Sequence, residues 1–227
     1  FKGKGIGKLV FISTCSNYGK ISDDEVADEN YELKPLSLYA TAKVNNEKYL
    51  LSLKGKTDYT GVVLRFGTAF GLSPRTRLDL SVNEFTCNLF LNKELLVFDE
   101  NTWRPYCHVR DFARLLDIVL NADPAKINFE VFNVGGNINN YTKKMIVEEI
   151  LNYVPDGKVI YGQNGDDPRN FRVSFSKVQN VLGFTPRYTV KDGIEEFIRA
   201  LKAGLLADFK ENRVKYGNYE VHYDPED

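Results

Sequence analysis

The sequence predicts an α/β fold built on a parallel sheet. Short apolar runs rich in β-branched residues recur along the 227 residues, and helical segments separate them. A strand, a helix and a second strand follow in that order near the start, which is the signature of a right-handed parallel crossover. The first run, Lys8 to Ser13, is continuously apolar rather than alternating, so a parallel strand covered on both faces is expected. A loop from Cys15 to Leu36 carries Asp23, Asp24, Glu25, Asp28 and Glu29, which read as solvated. After Pro35, the stretch from Ser37 to about Lys54 has helical periodicity through Val44, Tyr49, Leu50 and Leu53. Thr60 to Phe66 is a second apolar strand ending at Gly67.

Later elements follow from the same patterns. Helices are expected over Ser81 to Asn92, Val109 to Asn121, Ser176 to Leu182 and Val190 to Ala203. Another starts at an N-capping Thr142 and runs to about Tyr153. Strands are expected over Leu95 to Phe98, Phe129 to Val134 and Lys158 to Tyr161. Asp111 reads as a helix N-cap and His108 as a hydrogen-bonded structural imidazole. The glycines of Gly3-Lys-Gly-Ile-Gly7 precede a strand instead of following one. They therefore read as a turn and not as a phosphate loop, which needs glycines between a strand end and a helix start.

Composition removes several function classes. Thirty basic and thirty-one acidic residues leave a formal charge of −1, without the basic excess of a nucleic-acid binder. A hydrophobic share of 43% suits a globular protein, and no run of eighteen apolar residues would span a membrane. Three widely spaced cysteines and two histidines make neither a disulfide framework nor a zinc site. Reduced, buried thiols and a cytoplasmic location are expected, with no metal.

One constellation carries chemistry. Thr14 lies just past the end of the first strand, and Tyr39 follows it by 25 residues with Lys43 four positions further on. Positions i and i+4 share a helix face, so the Lys43 ammonium is expected beside the Tyr39 phenol. A nearby cation favours phenolate, lowering the tyrosine pKa and making it a usable general base. The carboxyl end of a parallel strand is also where open α/β sheets receive ligands.

Several segments together carry a family likeness: Tyr39-Ala-Thr-Ala-Lys43, Leu64-Arg-Phe-Gly-Thr-Ala-Phe-Gly71, Trp103-Arg-Pro-Tyr-Cys-His-Val-Arg-Asp111, Asn133-Val-Gly-Gly136, and Asp167-Pro-Arg-Asn-Phe-Arg-Val-Ser-Phe-Ser-Lys177. In spacing and order the chain resembles the extended short-chain dehydrogenases/reductases, specifically the NAD-dependent nucleotide-sugar epimerase/dehydratase group. The resemblance runs from the first strand to about Ala203. It implies an incomplete doubly wound, Rossmann-like sheet with a smaller α/β substrate-binding lobe. Residues 1–80 and 109–134 would form the sheet domain and residues 81–108 and 135–210 the lobe, with 211–227 as a tail.

The resemblance also implies roles. Tyr39 would take a sugar hydroxyl proton while hydride passes to NAD, with NADP as the alternative. Lys43 would hold the nicotinamide ribose, and Thr14 would hydrogen-bond the reacting oxygen. Ser13 and Phe66 would join Tyr39 and Lys43 in cofactor binding. Arg104 would grip the diphosphate of a nucleotide-diphosphate sugar, a bidentate task that suits a guanidinium. Arg169, Asn83, Thr68, Cys15 and Ser16 complete the expected substrate contacts. Relatives form homodimers, which is the expectation for the complete protein.

Two departures matter. The family's glycine-rich loop and first strands, roughly a hundred residues by the size of a mononucleotide-binding half, have no counterpart here. A fragment of a longer enzyme with an exposed sheet edge is therefore expected. Dehydratases of the group carry Asp-Glu after the catalytic threonine, whereas this chain has Cys15-Ser16. A thiol and a hydroxyl do not replace two carboxylates near neutral pH, so epimerisation or 4-keto/4-hydroxy redox ranks above 4,6-dehydration. The competing reading is a non-catalytic or fragmentary relative acting as a binding or regulatory module. Tyr39, Lys43 and the balanced charge argue against it.

Overall fold

The computed structural model describes residues 5–163, 168–206, 208 and 212–217. Gly3 and Lys4 of the amino-terminal glycine turn, Asp167, and most of the tail lie outside the described residues. In chain order the elements are β1 (Lys8–Thr14), α1 (Leu38–Leu51), β2 (Thr60–Phe66), β3 (Thr68–Phe70), α2 (Ser81–Asn92), β4 (Glu94–Phe98), β5 (Trp103–His108) and α3 (Val109–Asn121). They continue with α4 (Pro124–Ile127), β6 (Glu130–Val134), β7 (Asn140–Thr142), α5 (Lys143–Leu151), β8 (Lys158–Gly162), α6 (Ser176–Leu182), α7 (Val190–Lys202) and α8 (Arg213–Tyr216).

Strands β1, β2 and β6 form an all-parallel sheet in that order. Side chains alternate across the central strand β2. Val62 and Leu64 join a core with Phe112, Leu115 and Val119 of α3, while Val63 faces Leu50 of α1. Helices thus cover both faces, as a crossover topology requires. At the carboxyl end, the register sets Ser13, Arg65 and Asn133 side by side across the three strands. A second core gathers α2, α5 and α7 around β4 and β5, with Phe70, Tyr106, Ile146 and Ile194 fully buried. Gly193 on α7 admits that packing, because a Cβ there would lie 2.4 Å from the Phe70 ring.

Several expectations need correction. β1 is half-buried along most of its length, with Ile12 38% exposed, because it is the edge of its sheet among the described residues. The loop after β1 is anchored by buried Tyr18, Ile21 and Ala27 and by bridges from Lys20 to Asn170 and Ala27 to Val173. Its Glu29 is half-buried, not solvated: one carboxylate oxygen accepts from the Asn133 amide at 2.8 Å, and burial pushes its pKa up. Phe129 is in a left-handed conformation (φ 55°) just before β6, so the strand starts one residue later. The cap of α3 is His108, whose Nδ1 accepts from the Arg110 amide at 3.1 Å; Asp111 sits inside the first turn. There its buried carboxylate accepts from the amides of Arg187 and Tyr188 and from Arg114, fastening a distant loop to the helix. His108 has the structural role expected: Nδ1 is an acceptor, so Nε2–H donates to Glu196 at 3.0 Å.

Strands β3, β5 and β7 are additional to the expected elements. They pair as a small mixed sheet, β3 parallel and β7 antiparallel to β5. Among the described residues, no helix is long and apolar enough to cross a membrane.

Candidate active site

A cavity of about 670 Å³ opens at the carboxyl ends of β1 and β2, between the parallel sheet and the second core. Its floor is Ile12 to Ser16, with Phe66 to Ala69 along one side. β1 ends there because Thr14 caps a single 3₁₀ turn, Cys15–Tyr18, its hydroxyl accepting from the Ser16 amide at 3.1 Å. Helix α1 begins at the opposite wall, capped by Ser37, whose hydroxyl accepts from the Ala40 amide at 3.2 Å. That start places Tyr39 in the first turn, 58% exposed and lining the cavity.

Tyr39 and Thr14 line the same cavity, close enough for the Thr14 hydroxyl to act on the phenol. One turn further on, Lys43 Nζ donates to the Ile12 carbonyl at 2.8 Å and lies 5.6 Å from the Tyr39 ring centroid. The expected lowering of the Tyr39 pKa by Lys43 is not what this arrangement produces. Burial raises the phenol above its ordinary value, and the opposing influences are the Arg77 guanidinium and the Thr14 hydroxyl. The Lys43 ammonium is turned toward the Ile12 carbonyl and the Phe11 ring instead.

Most residues singled out from sequence come together here. Ser13, Thr14, Cys15, Ser16, Tyr39, Phe66, Thr68, Arg104 and Arg169 all line the cavity. Phe66 stacks on Phe112 with centroids 4.0 Å apart. Arg104 is buried, donates from Nη1 to its neighbour's carbonyl at 2.8 Å, and lies over the Phe171 ring. Arg169 Nη1 reaches the Ser16 hydroxyl at 3.2 Å. Cys15 is buried, and desolvation pushes its thiol far above the ordinary range, so it is an inert neutral group. Lys43 touches the strand from just outside the cavity wall. Asn83 stands behind the wall: its buried side chain accepts from the Gly71 amide at 3.1 Å and donates to the Arg77 carbonyl at 2.8 Å. Asn83 therefore shapes the segment carrying Arg77 without facing the cavity.

Three charged wall residues carry no signal in the sequence. Arg77 and Asp79 form a bidentate pair, Nε to Oδ1 at 2.9 Å and Nη2 to Oδ2 at 2.6 Å, and this bonding holds the Asp79 carboxyl below its usual range. Lys143 is the first residue of α5 and donates to the Phe98 carbonyl at 2.8 Å. Arg77 and Asp79 lie in a loop without periodicity and Lys143 opens a helix, and only the tertiary fold brings them to the cavity. With Arg104 and Arg169 they give four cationic side chains against one carboxylate, a wall suited to an anionic ligand.

Comparison with known proteins gives this geometry a context. The sequence model of the NAD dependent epimerase/dehydratase family matches residues 1–135. A dTDP-glucose 4,6-dehydratase of Streptomyces niveus is 29% identical over 85% of this chain and 56% of its own length. An uncharacterized UDP-glucose epimerase of Bacillus subtilis is 28% identical over 87% of this chain and 61% of its own. The crystal structure of dTDP-glucose 4,6-dehydratase from Bacillus anthracis in complex with NAD superposes with a TM-score of 0.74 at 26% identity, over 86% of this chain and 62% of that one. The chain thus spans about three fifths of the length of such relatives. A family match over more than half of the sequence, together with the same Rossmann-like fold, makes this chain a member of the NAD dependent epimerase/dehydratase family.

Proposed function

We propose that the protein acts on a nucleotide-diphosphate sugar by transient hydride transfer with NAD, as an epimerase or a 4-keto/4-hydroxy oxidoreductase. The observation that carries this reading is the meeting of Tyr39 and Thr14 at the carboxyl end of a parallel strand, in a cavity walled by four cations. A phenol and an ammonium on one helical face beside that strand end are a donor set that fits a nicotinamide ribose. Tyr39, Lys43, Ser13 and Phe66 would hold that part of the cofactor, which supplies a reversible hydride acceptor.

In this reading the sugar hydroxyl lies between Tyr39 and Thr14. Tyr39 takes its proton as the C–H hydride leaves, and returns it when hydride comes back. Thr14 hydrogen-bonds the reacting sugar oxygen, and before the sugar arrives its hydroxyl favours the ionised phenol that accepts a proton. Arg77 pulls in the same direction by charge. Arg104, Arg169 and Lys143 take the diphosphate, where charge-assisted hydrogen bonds are stronger than neutral ones. A 4,6-dehydratase, the activity named for the relative from Streptomyces niveus, needs an acid and a base beside the threonine. Cys15 is neutral and buried and Ser16 is bonded to Arg169, so neither supplies one.

Turnover of UDP-, dTDP- and GDP-sugars with NAD, followed by NMR of the sugar ring, tests the reading. Loss of general-base catalysis in Tyr39→Phe is expected to cut turnover by about 10²–10⁴-fold with the fold intact. Turnover equal to the parent protein in that variant removes Tyr39 from the mechanism.

A further inference from the structure

Three side chains on one face of α1 reach three consecutive residues of β1. Tyr39 meets Thr14 at the cavity, Lys43 bonds the Ile12 carbonyl, and the Glu47 carboxylate accepts from the Ser13 hydroxyl. Their spacing is i, i+4 and i+8, the repeat by which a helix presents one stripe. Only the third contact is sealed from water, with Glu47 1% exposed and Ser13 2%.

Glu47 is held from every side. Arg65 of β2 grips it with Nη2 to Oε2 at 2.8 Å and Nε at 3.1 and 3.2 Å from the two oxygens. Asn17 Nδ2 donates to Oε1 at 2.7 Å. Arg65 continues to the Tyr18 hydroxyl at 3.0 Å, which in turn donates to Asn133 Oδ1 at 2.7 Å. The network therefore runs through the row Ser13, Arg65, Asn133 across all three strands.

A buried ion pair is a poor source of stability compared with apolar packing of the same volume. What it does supply is direction: five bonds to one carboxylate leave α1 a single rotation and height against the sheet. We propose that Glu47 is a positioning residue that fixes α1 so that the Tyr39 phenol stays on Thr14. The inference rests on the role given to Tyr39 above. A catalytic pair must be held to roughly half an ångström, and a displacement of about 1 Å costs on the order of 10²-fold in rate.

Two variants separate positioning from plain support. Ser13→Ala removes one link between helix and strand and leaves the Glu47–Arg65 charges in place. The ring-carbon NMR titration of Tyr39, assigned by comparison with Tyr39→Phe, is expected to move upward by about one pH unit in Ser13→Ala as the Thr14 contact loosens. A midpoint unmoved or lowered overturns the proposal. In Glu47→Gln, kcat is expected to fall by roughly 10- to 100-fold at unchanged substrate KM; a raised KM at unchanged kcat overturns it. If Glu47→Gln does not fold, the Ser13→Ala titration decides alone. Absence of any sugar-nucleotide turnover in the parent protein would sink the functional reading and leave that titration as the judge of the clamp.

Discussion

At the scale of single residues, burial raises the Tyr39 phenol, and the charge that opposes it belongs to a neighbour that sequence spacing does not reveal. Lys43 is the cation four positions away, yet the charge that opposes the burial of the phenol is Arg77, from a turn nearly forty residues downstream. The sign of its effect is definite. A positive charge favours phenolate, so removing it raises a pKa that burial has already raised. In Arg77→Gln, the rising limb of the kcat profile, set by ionisation of the Tyr39 base, is therefore expected to shift to higher pH, read from turnover across a buffer series. A limb that stays in place or moves to lower pH would show that Arg77 does not act on Tyr39. The Tyr39/Lys43 pair was legible because helical spacing is local, and Thr14 because it ends an apolar run. Arg77, Asp79 and Lys143 were not, because neither a loop without periodicity nor the first turn of a helix carries a sign of which wall it will join.

At the scale of elements, helix ends and apolar periodicity are written into the chain. The bounds of α2, α3 and α6 and of β2 agree with the sequence expectation. The three short strands escaped because each depends on a distant partner. Residue 105 of β5 is a proline, which weakens any strand assignment from sequence, and it pairs with Asn140 only once the second core has formed. The acidic loop after β1 misled for a related reason: its charges conceal Tyr18, Ile21 and Ala27, which pack against the carboxyl-terminal half of the chain. Packing between elements also reverses a familiar rule. Glycine to alanine in a helix interior usually stabilises by about 1 kcal/mol. At Gly193 on α7, the added methyl would meet the Phe70 ring, so Gly193→Ala is expected to destabilise by about 1–3 kcal/mol in urea unfolding. A gain in stability would mean that Phe70 has room to turn aside.

At the scale of the whole molecule, the chain passes repeatedly between its two cores: from β2 into β3, from β5 into α3, and from β6 into β7. Neither core is a continuous stretch of sequence, and the cavity lies where they meet. Cooperative unfolding is the expected result, with neither half melting first. Trp103, the single tryptophan, starts β5 and lies against Arg172, so its fluorescence reports on the join. Fluorescence and far-ultraviolet circular dichroism are expected to give superimposable denaturation curves. Two separated transitions would show independent halves.

The far end of β1 has its own fastening. Lys8 Nζ donates to the carbonyls of Val119, Leu120 and Ala122 at the end of α3, at 3.3, 2.5 and 2.6 Å. An ammonium there also meets the negative pole of the helix. Thr14 lies six residues along the same strand, about 20 Å of extended chain from that contact. The reactive hydroxyl is thus carried on a cord moored at both ends, and only one mooring lies near the cavity. Slackening the remote one, by a change at Lys8 or at the last turn of α3, would reach the chemistry without altering any residue that a ligand could touch.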